Sequence, residues 1–232
     1  METTKQKILL LHGALGSRKT FDSILDLISD TYQPITFDFR GHGVYSTDKA
    51  ISADLLCNQV IEFIENQQIS GLPVFGYSMG GYIALMACLK KPKIFSKIIT
   101  LGTKYEWTNE IAAIEIKQLQ TILNLPQEHP FIRNLIEMHG VENYQNCVKV
   151  TGNLMKELAL KKYLNDETTS KILNETLLLL GDSDSMVNLQ ETAKVCESLT
   201  NGQLIILGDS KHQFEKVNQH EFLKRIFDFL RP

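Results

Sequence analysis

Gly76-Tyr77-Ser78-Met79-Gly80-Gly81 lies between two apolar runs, Leu72-Pro73-Val74-Phe75 before it and Tyr82 to Leu89 after it. The first run has the length of a buried strand and the second that of a buried helix. A G-x-S-x-G pentapeptide at such a junction forces the serine onto a sharp turn. The residues two before and two after it must then lack side chains so that the backbones can pass. Ser78 would project alone at the top of a sheet. The N-terminal amides of the following helix face the same spot, so the Met79 N–H and the helix dipole can stabilise negative charge developing beside the Ser78 oxygen. The pentapeptide alone occurs by chance in roughly one chain of this length in fifteen. Its weight therefore rests on what surrounds it.

Upstream, Lys7 to Leu11 has the continuous apolar character of a strand covered on both faces. It ends in His12-Gly13-Ala14-Leu15-Gly16-Ser17, where two glycines allow a tight turn and Ser17 can cap a helix over about Thr20 to Ser29. Gln33 to Phe39 is the next predicted strand, followed by the turn Arg40-Gly41-His42-Gly43. Ser52 opens a helix with apolar residues near helical spacing from Leu55 to Ile64. Downstream of Gly81, Pro92 stops the buried helix and Lys97 to Gly102 is a strand. Strand-helix order resumes at Thr176–Leu180, with a helix over Leu189–Leu199, a strand over Gln203–Leu207 and a closing helix over Val217–Leu230. Between Lys104 and Thr169 the alternation stops, and helical periodicity recurs over Asn109–Leu123, Phe131–His139, Val141–Val150 and Leu154–Leu164. The expectation is an α/β protein with a mainly parallel, roughly six-stranded sheet and helices on both faces. Residues 1–232 then form a single domain, with a helical insertion at 104–169, and the ligand site lies at the strand carboxyl ends.

Three chemically capable groups fall at three of those ends. Ser78 follows the third strand, Gly181-Asp182-Ser183-Asp184 the fifth, and Gly208-Asp209-Ser210-Lys211-His212 the sixth. A serine hydroxyl is a weak nucleophile until a base accepts its proton. The base in turn needs a carboxylate to hold its tautomer and offset the imidazolium charge. Of the six histidines, His12 and His42 lie in glycine-rich turns, and His129, His139 and His220 lie in helical or loop segments. Those five are read as structural or solvated, and His212 as the base. Asp182 and Asp184 compete for the acid. A carboxylate touching the strand end is less free to swing toward a histidine than one two residues along, which favours Asp184.

In combination these motifs resemble the α/β-hydrolase superfamily over nearly the whole chain, the helical insertion corresponding to that family's cap. The segment 12–17 is similar to the family's oxyanion loop, Asp38-Phe39-Arg40-Gly41-His42-Gly43 to the turn after its next strand, and 76–81 to its nucleophile elbow. The resemblance implies Ser78, Asp184 and His212 as catalytic residues, with Gly181, Asp184 and Val187 in the family's acid-loop spacing. It also implies Ala14 and Met79 as the oxyanion-hole amides. The family often has an N-terminal hairpin before the oxyanion strand, but only six residues precede Lys7, so a trimmed sheet is expected. A lyase on this fold carries an arginine where this chain has Tyr82, a dehalogenase carries aspartate in place of Ser78, and the glycine usual before the histidine is Lys211. Hydrolysis of a small carboxylic ester or thioester through an acyl-serine is the leading expectation. Lyase or carbon-carbon bond hydrolysis by the same triad is the alternative, and a non-catalytic binding module has no need of all three groups.

The remaining features of the 232-residue chain narrow its partners. Net charge is −3 with both signs interspersed, which provides no basic stripe for nucleic acid and no polybasic membrane segment. The polar start Met1–Gln6 and the four apolar residues Ile8–Leu11 are too short for a signal-peptide core, so a cytoplasmic protein is expected. Cys57, Cys88, Cys147 and Cys196 have no metal or redox spacing and are expected to be buried thiols; no metal or cofactor is expected. The expected partner is a small molecule in an apolar pocket under the cap. Its candidate lining is Leu15, Trp107, Met138, Leu154, Met186 and Phe214.

Overall fold

Six apolar runs form the strands of one sheet: β1 (Lys7–Leu11), β2 (Gln33–Thr36), β3 (Leu72–Tyr77), β4 (Phe95–Leu101), β5 (Glu175–Gly181) and β6 (Gly202–Leu207). The computed structural model describes residues 5–45, 47 and 49–231; Met1 to Thr4, part of the polar stretch Met1–Gln6, lie outside them. All pairings are parallel, in the order β2-β1-β3-β4-β5-β6. The chain runs outward from β1 to β2 and then returns to place β3 on the other side of β1. The carboxyl ends of β1 and β3 therefore flank the point where strand order reverses, and a crevice opens there between diverging connections.

Alternate residues of each strand feed two cores. Leu9, Leu11, Val74, Ile98 and Leu178 pack with α2 (Ala53–Asn66), α3 (Met79–Lys90) and α8 (Leu189–Ser198) on one face. Ile8, Leu10, Phe75, Ile99 and Leu177 pack with α1 (Asp22–Ser29) and α9 (Gln219–Leu230) on the other. Fully burying each Leu, Ile or Phe contributes about 1.5–3 kcal/mol. Helix α3 is buried on every side from Met79 to Cys88, which is why its sequence shows no amphipathic stripe. Side-chain caps start four of the helices packed around the sheet and in the insertion: Ser52 Oγ accepts the Leu55 N–H and Thr108 Oγ1 the Ile111 N–H, while Asn188 and Asn218 cap α8 and α9 in the same way.

Between β4 and β5 lie α4 (Asn109–Leu123), α5 (Pro130–His139), α6 (Tyr144–Lys161) and α7 (Asp166–Thr169). Helices α4 to α6 share their own apolar cluster, including Leu119, Ile132, Leu135, Tyr144 and Met155. Two expectations are corrected here. The patterns over 141–150 and 154–164 belong to the one helix α6, because Gly152 costs only about 1 kcal/mol in a helix interior and its neighbours Val148, Val150, Leu154 and Met155 are buried. β2 ends at Thr36 rather than Phe39, because the Phe39 N–H leaves the sheet and donates to His12 Nε2 at 3.0 Å. No helix among the described residues is long and apolar enough to cross a membrane.

Candidate active site

β3 delivers Ser78 into a backbone conformation of φ 51° and ψ −115°, and α3 begins at the next residue. A non-glycine residue there stores about 1–3 kcal/mol of strain. The surroundings hold it in place: the Ser78 N–H donates to Leu101 O at 2.8 Å, and Thr103 Oγ1 donates to Ser78 O at 3.0 Å. The flanking glycines are sterically required. A Cβ on Gly76 would stand 2.4 Å from Gly81 N, and one on Gly80 would stand 2.1 Å from Leu11 O. Ser78 is the N-cap of α3 but makes no capping bond with its side chain, so the hydroxyl is left for another partner.

That partner is His212, whose Nε2 lies 3.3 Å from Ser78 Oγ while its Nδ1 lies 2.8 Å from Asp184 Oδ2. Because an ionised carboxylate only accepts, Nδ1 carries the proton and Nε2 presents its lone pair to the hydroxyl. The histidine and aspartate side chains are 8% and 1% exposed. Asp184 Oδ1 accepts from the Met186 and Val187 N–H groups at 2.8 and 2.9 Å. Burial pushes the Asp184 carboxyl up, but the His212 hydrogen bond and charge together with these two amides outweigh it and hold the group below its ordinary value. It is an anion at neutral pH, aimed at the imidazole. A Ser78–His212 contact of 3.3 Å is loose for proton transfer, and such contacts commonly tighten when substrate is bound.

Asp182 does different work. Its two oxygens accept the Asp209 and Ser210 N–H groups at 3.1 Å each, tying the turn that carries His212 to the end of β5. It does not reach the imidazole. The Ser210 Oγ completes the staple, donating to Gly208 O and accepting from the Asn218 N–H, each at 3.0 Å. Two further residues hold the His212 imidazole and were given no role by the sequence reading. Tyr77 Oη donates to His212 O at 2.8 Å, with its ring packed 5.7 Å from the imidazole. Gly102, at φ 58°, leaves room behind the pair, since a Cβ there would lie 3.2 Å from Asp184 Oδ2 and 3.3 Å from His212 Nδ1. A strand ending in glycine is the one sequence signal that marked Gly102.

The loop after β1 closes the other side. A Cβ on Gly13 would stand 3.1 Å from Ser78 Cβ, so this loop passes against the elbow. His12 is fully buried beneath it. Its Nε2 accepts the Phe39 N–H, so Nδ1 carries the proton and donates to Gly13 O at 2.8 Å. Burial lowers its pKa to about 4, with the nearby His139 acting in the same direction and the Gly13 bond opposing, so the ring is neutral at physiological pH. Leu15 has φ 58°. Its carbonyl accepts the Nε2–H of His139 at 3.0 Å, while His139 Nδ1 accepts the Gly43 N–H at 2.8 Å. One imidazole from α5 thus joins the 12–17 loop to the 38–45 turn. Among the described residues, neither the Ala14 nor the Met79 N–H has a hydrogen-bond partner, and both residues border the cavity beside Ser78.

That cavity has a volume of about 330 Å³, at the small end of the roughly 300–1,000 Å³ usual for small-molecule sites. Leu15, Trp107, Met138, Leu154, Met186 and Phe214, all named from sequence, line it together with Ser78 and His212. Tyr77, Tyr82, Ile83, Lys104, Glu115 and Thr151 also line it and were not anticipated. Tyr82 Oη accepts the Leu164 N–H at 3.2 Å, and burial pushes its pKa to about 12. Among the described residues no cluster of His, Cys, Asp or Glu is arranged to hold a metal ion. All four thiols are free; three are buried and Cys196 is half-buried.

Comparison with known proteins agrees with this architecture. The protein named "Uncharacterized hydrolase YugF" from Bacillus subtilis is 24% identical over 98% of this chain and 90% of its own length. A thermophilic esterase from Thermogutta terrifontis superposes with a TM-score of 0.81 at 16% identity, covering 98% of this chain and 90% of that one. MenH from S. aureus superposes at 0.77 with 19% identity, covering 98% and 94%. At these identities the two structures speak to the fold alone. A family model described as "alpha/beta hydrolase fold" matches residues 7–129, more than half of the chain, and with the parallel sheet, the elbow and the coverage of these relatives it places the protein in the α/β-hydrolase family.

Proposed function

We propose that this protein is a serine hydrolase that cleaves a small carboxylic ester or thioester through an acyl-Ser78 intermediate. The observation that carries the reading is the continuous path Ser78 Oγ, His212 Nε2, His212 Nδ1, Asp184 Oδ2 at the floor of an apolar cavity. In the acylation step His212 Nε2 takes the Ser78 proton as Oγ attacks the carbonyl carbon. The carbonyl oxygen gains the electron pair, facing the Ala14 and Met79 amides, and the dipole of α3 favours charge there. Collapse expels the alkoxide or thiolate, which takes its proton from the imidazolium. A water molecule then repeats the sequence on the acyl-enzyme, with His212 as base and then acid. Asp184 holds the Nδ1–H tautomer and offsets the imidazolium charge. Residues 104–169 serve as the cap, supplying Trp107, Met138 and Leu154 to the acyl pocket. The names of the B. subtilis and T. terrifontis relatives, a hydrolase and an esterase, are in keeping with this reading.

A fluorophosphonate probe followed by peptide mapping tests the nucleophile, and kcat/KM on acetyl through palmitoyl aryl esters tests the pocket. Each methylene that fits should contribute about 0.8 kcal/mol, and a small cavity should place the maximum at roughly two to six carbons. A maximum at twelve carbons or beyond contradicts the reading. Labelling of Ser78 with no ester turned over assigns the triad instead to lyase or carbon-carbon bond hydrolysis.

A further inference from the structure

The wall of the apolar cavity contains one ion pair. Lys104 Nζ lies 2.8 Å from Glu115 Oε1, joining the segment that leaves β4 to the middle of α4, and both residues border the same space as Ser78. The two side chains are only 16% and 9% exposed. The ammonium also lies over the Trp107 ring, 5.9 Å from its centroid, and Trp107 Nε1 donates to Lys104 O at 3.3 Å. A buried pair of this kind is a poor source of stability, because desolvating two charges offsets most of their attraction, and apolar residues of similar volume commonly serve as well or better. A cavity meant for bare alkyl chains has no need of it.

The valences of the pair specify a ligand. An ammonium has three donors, and among the described residues the only hydrogen-bond acceptor Lys104 Nζ meets is Glu115 Oε1. Glu115 Oε2 accepts no hydrogen bond from any described residue. One donor and one acceptor are thus presented side by side. An anionic substrate group would meet Glu115, with Glu191 also close enough to interact with Lys104, and a cationic group would meet Lys104. A neutral group that both accepts and donates satisfies both without repulsion.

We infer that Lys104 and Glu115 form a polar subsite of the cap pocket that takes a neutral hydrogen-bonding group of the substrate, an amide or a hydroxyl, on the acyl part. Lys104 donates to its oxygen and Glu115 Oε2 accepts its N–H or O–H. This rests on the serine-hydrolase reading for the link to catalysis, but the binding claim stands apart from it. The specificity follows from the cost of leaving buried polar groups without partners: an alkyl chain of the same length desolvates the pair and returns nothing.

Aryl esters of N-acetylglycine, N-acetyl-β-alanine and N-acetyl-4-aminobutanoate, each compared with the alkanoyl ester of equal chain length, move the amide along the pocket one methylene at a time. At the best register the ratio of amide to alkyl kcat/KM in the native enzyme should exceed that of Lys104→Met/Glu115→Leu by about 10- to 100-fold. The double variant should also turn over the alkyl esters faster. Using ratios within each enzyme removes the intrinsic reactivity of the esters. A change under twofold at every register overturns the inference, leaving the pair as a tether for α4. Trp107, the chain's single tryptophan, supplies a readout independent of turnover. N-ethylacetamide should quench or shift its fluorescence at concentrations about tenfold below those needed for the isosteric 2-pentanone, and the preference should vanish in Glu115→Leu. Equal binding of the two by the native protein overturns the subsite. Should the amide preference hold while no ester is hydrolysed, the subsite stands and the esterase reading falls.

Discussion

Lowering the pH from 7 to 4 should cost this fold about 3 kcal/mol through His12 alone. Its folded-state pKa is lowered from 6.5 to about 4, chiefly by complete burial. Between those two values the unfolded chain binds the proton and the native protein does not. Stability is therefore fully present above pH 6.5, falls as pH drops toward 4, and has lost about 2 kcal/mol by pH 5. His42 and His139 are buried beside it, with ring centroids of His12 and His42 5.2 Å apart and those of His42 and His139 6.1 Å apart, and burial lowers both. They add loss of the same sign as the pH falls below 6.5. Asp184, with its depressed pKa, adds its own loss only at lower pH, where the unfolded carboxylate begins to protonate. The decisive comparison is urea unfolding at pH 7, 6, 5 and 4.5 for the native protein and His12→Gln. The glutamine Oε1 can accept the Phe39 N–H and does not titrate. The variant should be less stable at pH 7 but shallower in pH dependence, by about 2 kcal/mol between pH 7 and pH 5. Parallel curves for the two proteins would refute the argument that His12 excludes the proton.

Ser78→Ala and His212→Ala should each reduce ester turnover nearly to background, whereas Ser78→Gly should be equally inactive yet more stable in urea by about 1–3 kcal/mol, because glycine relieves the elbow strain. Asp184→Asn should lower kcat by about 10³–10⁴ through the wrong imidazole tautomer, and Asp182→Asn far less, with its effect appearing in thermal stability; the reverse ranking would mean the two carboxylates are misassigned. Tyr77→Phe removes the bond to His212 O and should destabilise by about 1 kcal/mol in denaturant titration while lowering kcat severalfold and leaving KM little changed.

The fold was legible because its deciding features are local. A strand buried on both faces declares itself as four or five consecutive apolar residues, as at Ile8–Leu11 and Leu177–Leu180, and the starts of α2, α4, α8 and α9 each carry a Ser, Thr or Asn that caps them. Where the reading failed, a long-range partner had overruled the local pattern. Phe37 to Phe39 has the composition of a strand, but the Phe39 amide belongs to His12, 27 residues earlier. The apparent break in α6 at Gly152-Asn153 disappears because α4 and α5 supply a core that a glycine cannot disrupt.

The same distinction sorts the site. Ser78, Asp184 and His212 each lie in the connection that leaves the carboxyl end of a strand, so their convergence follows from parallel topology, and spacing within one loop was enough to prefer Asp184 over Asp182. The groups that tune those three come from elsewhere in the chain. Tyr77 reaches a carbonyl 135 residues away, and His139 clamps Leu15 across 124. His139 shows why such roles stay hidden: in sequence it is the last residue of an ordinary amphipathic helix, where a basic side chain is accounted for by the helix dipole. In the structure its two ring nitrogens face opposite ways, one to the Gly43 amide and one to the Leu15 carbonyl, and only a neutral imidazole can accept at one and donate at the other. Burial keeps it neutral. The loop that presents Ala14 is therefore held from below by His12 and from the α5 side by His139, with Lys19 Nζ donating to Glu137 O at 2.9 Å as a second tie to α5 just beyond the loop. The oxyanion role proposed for the Ala14 amide requires it to keep its place to within a fraction of an ångström so as to act on a developing charge. These distant partners supply that rigidity, and no periodicity or motif in the chain records them.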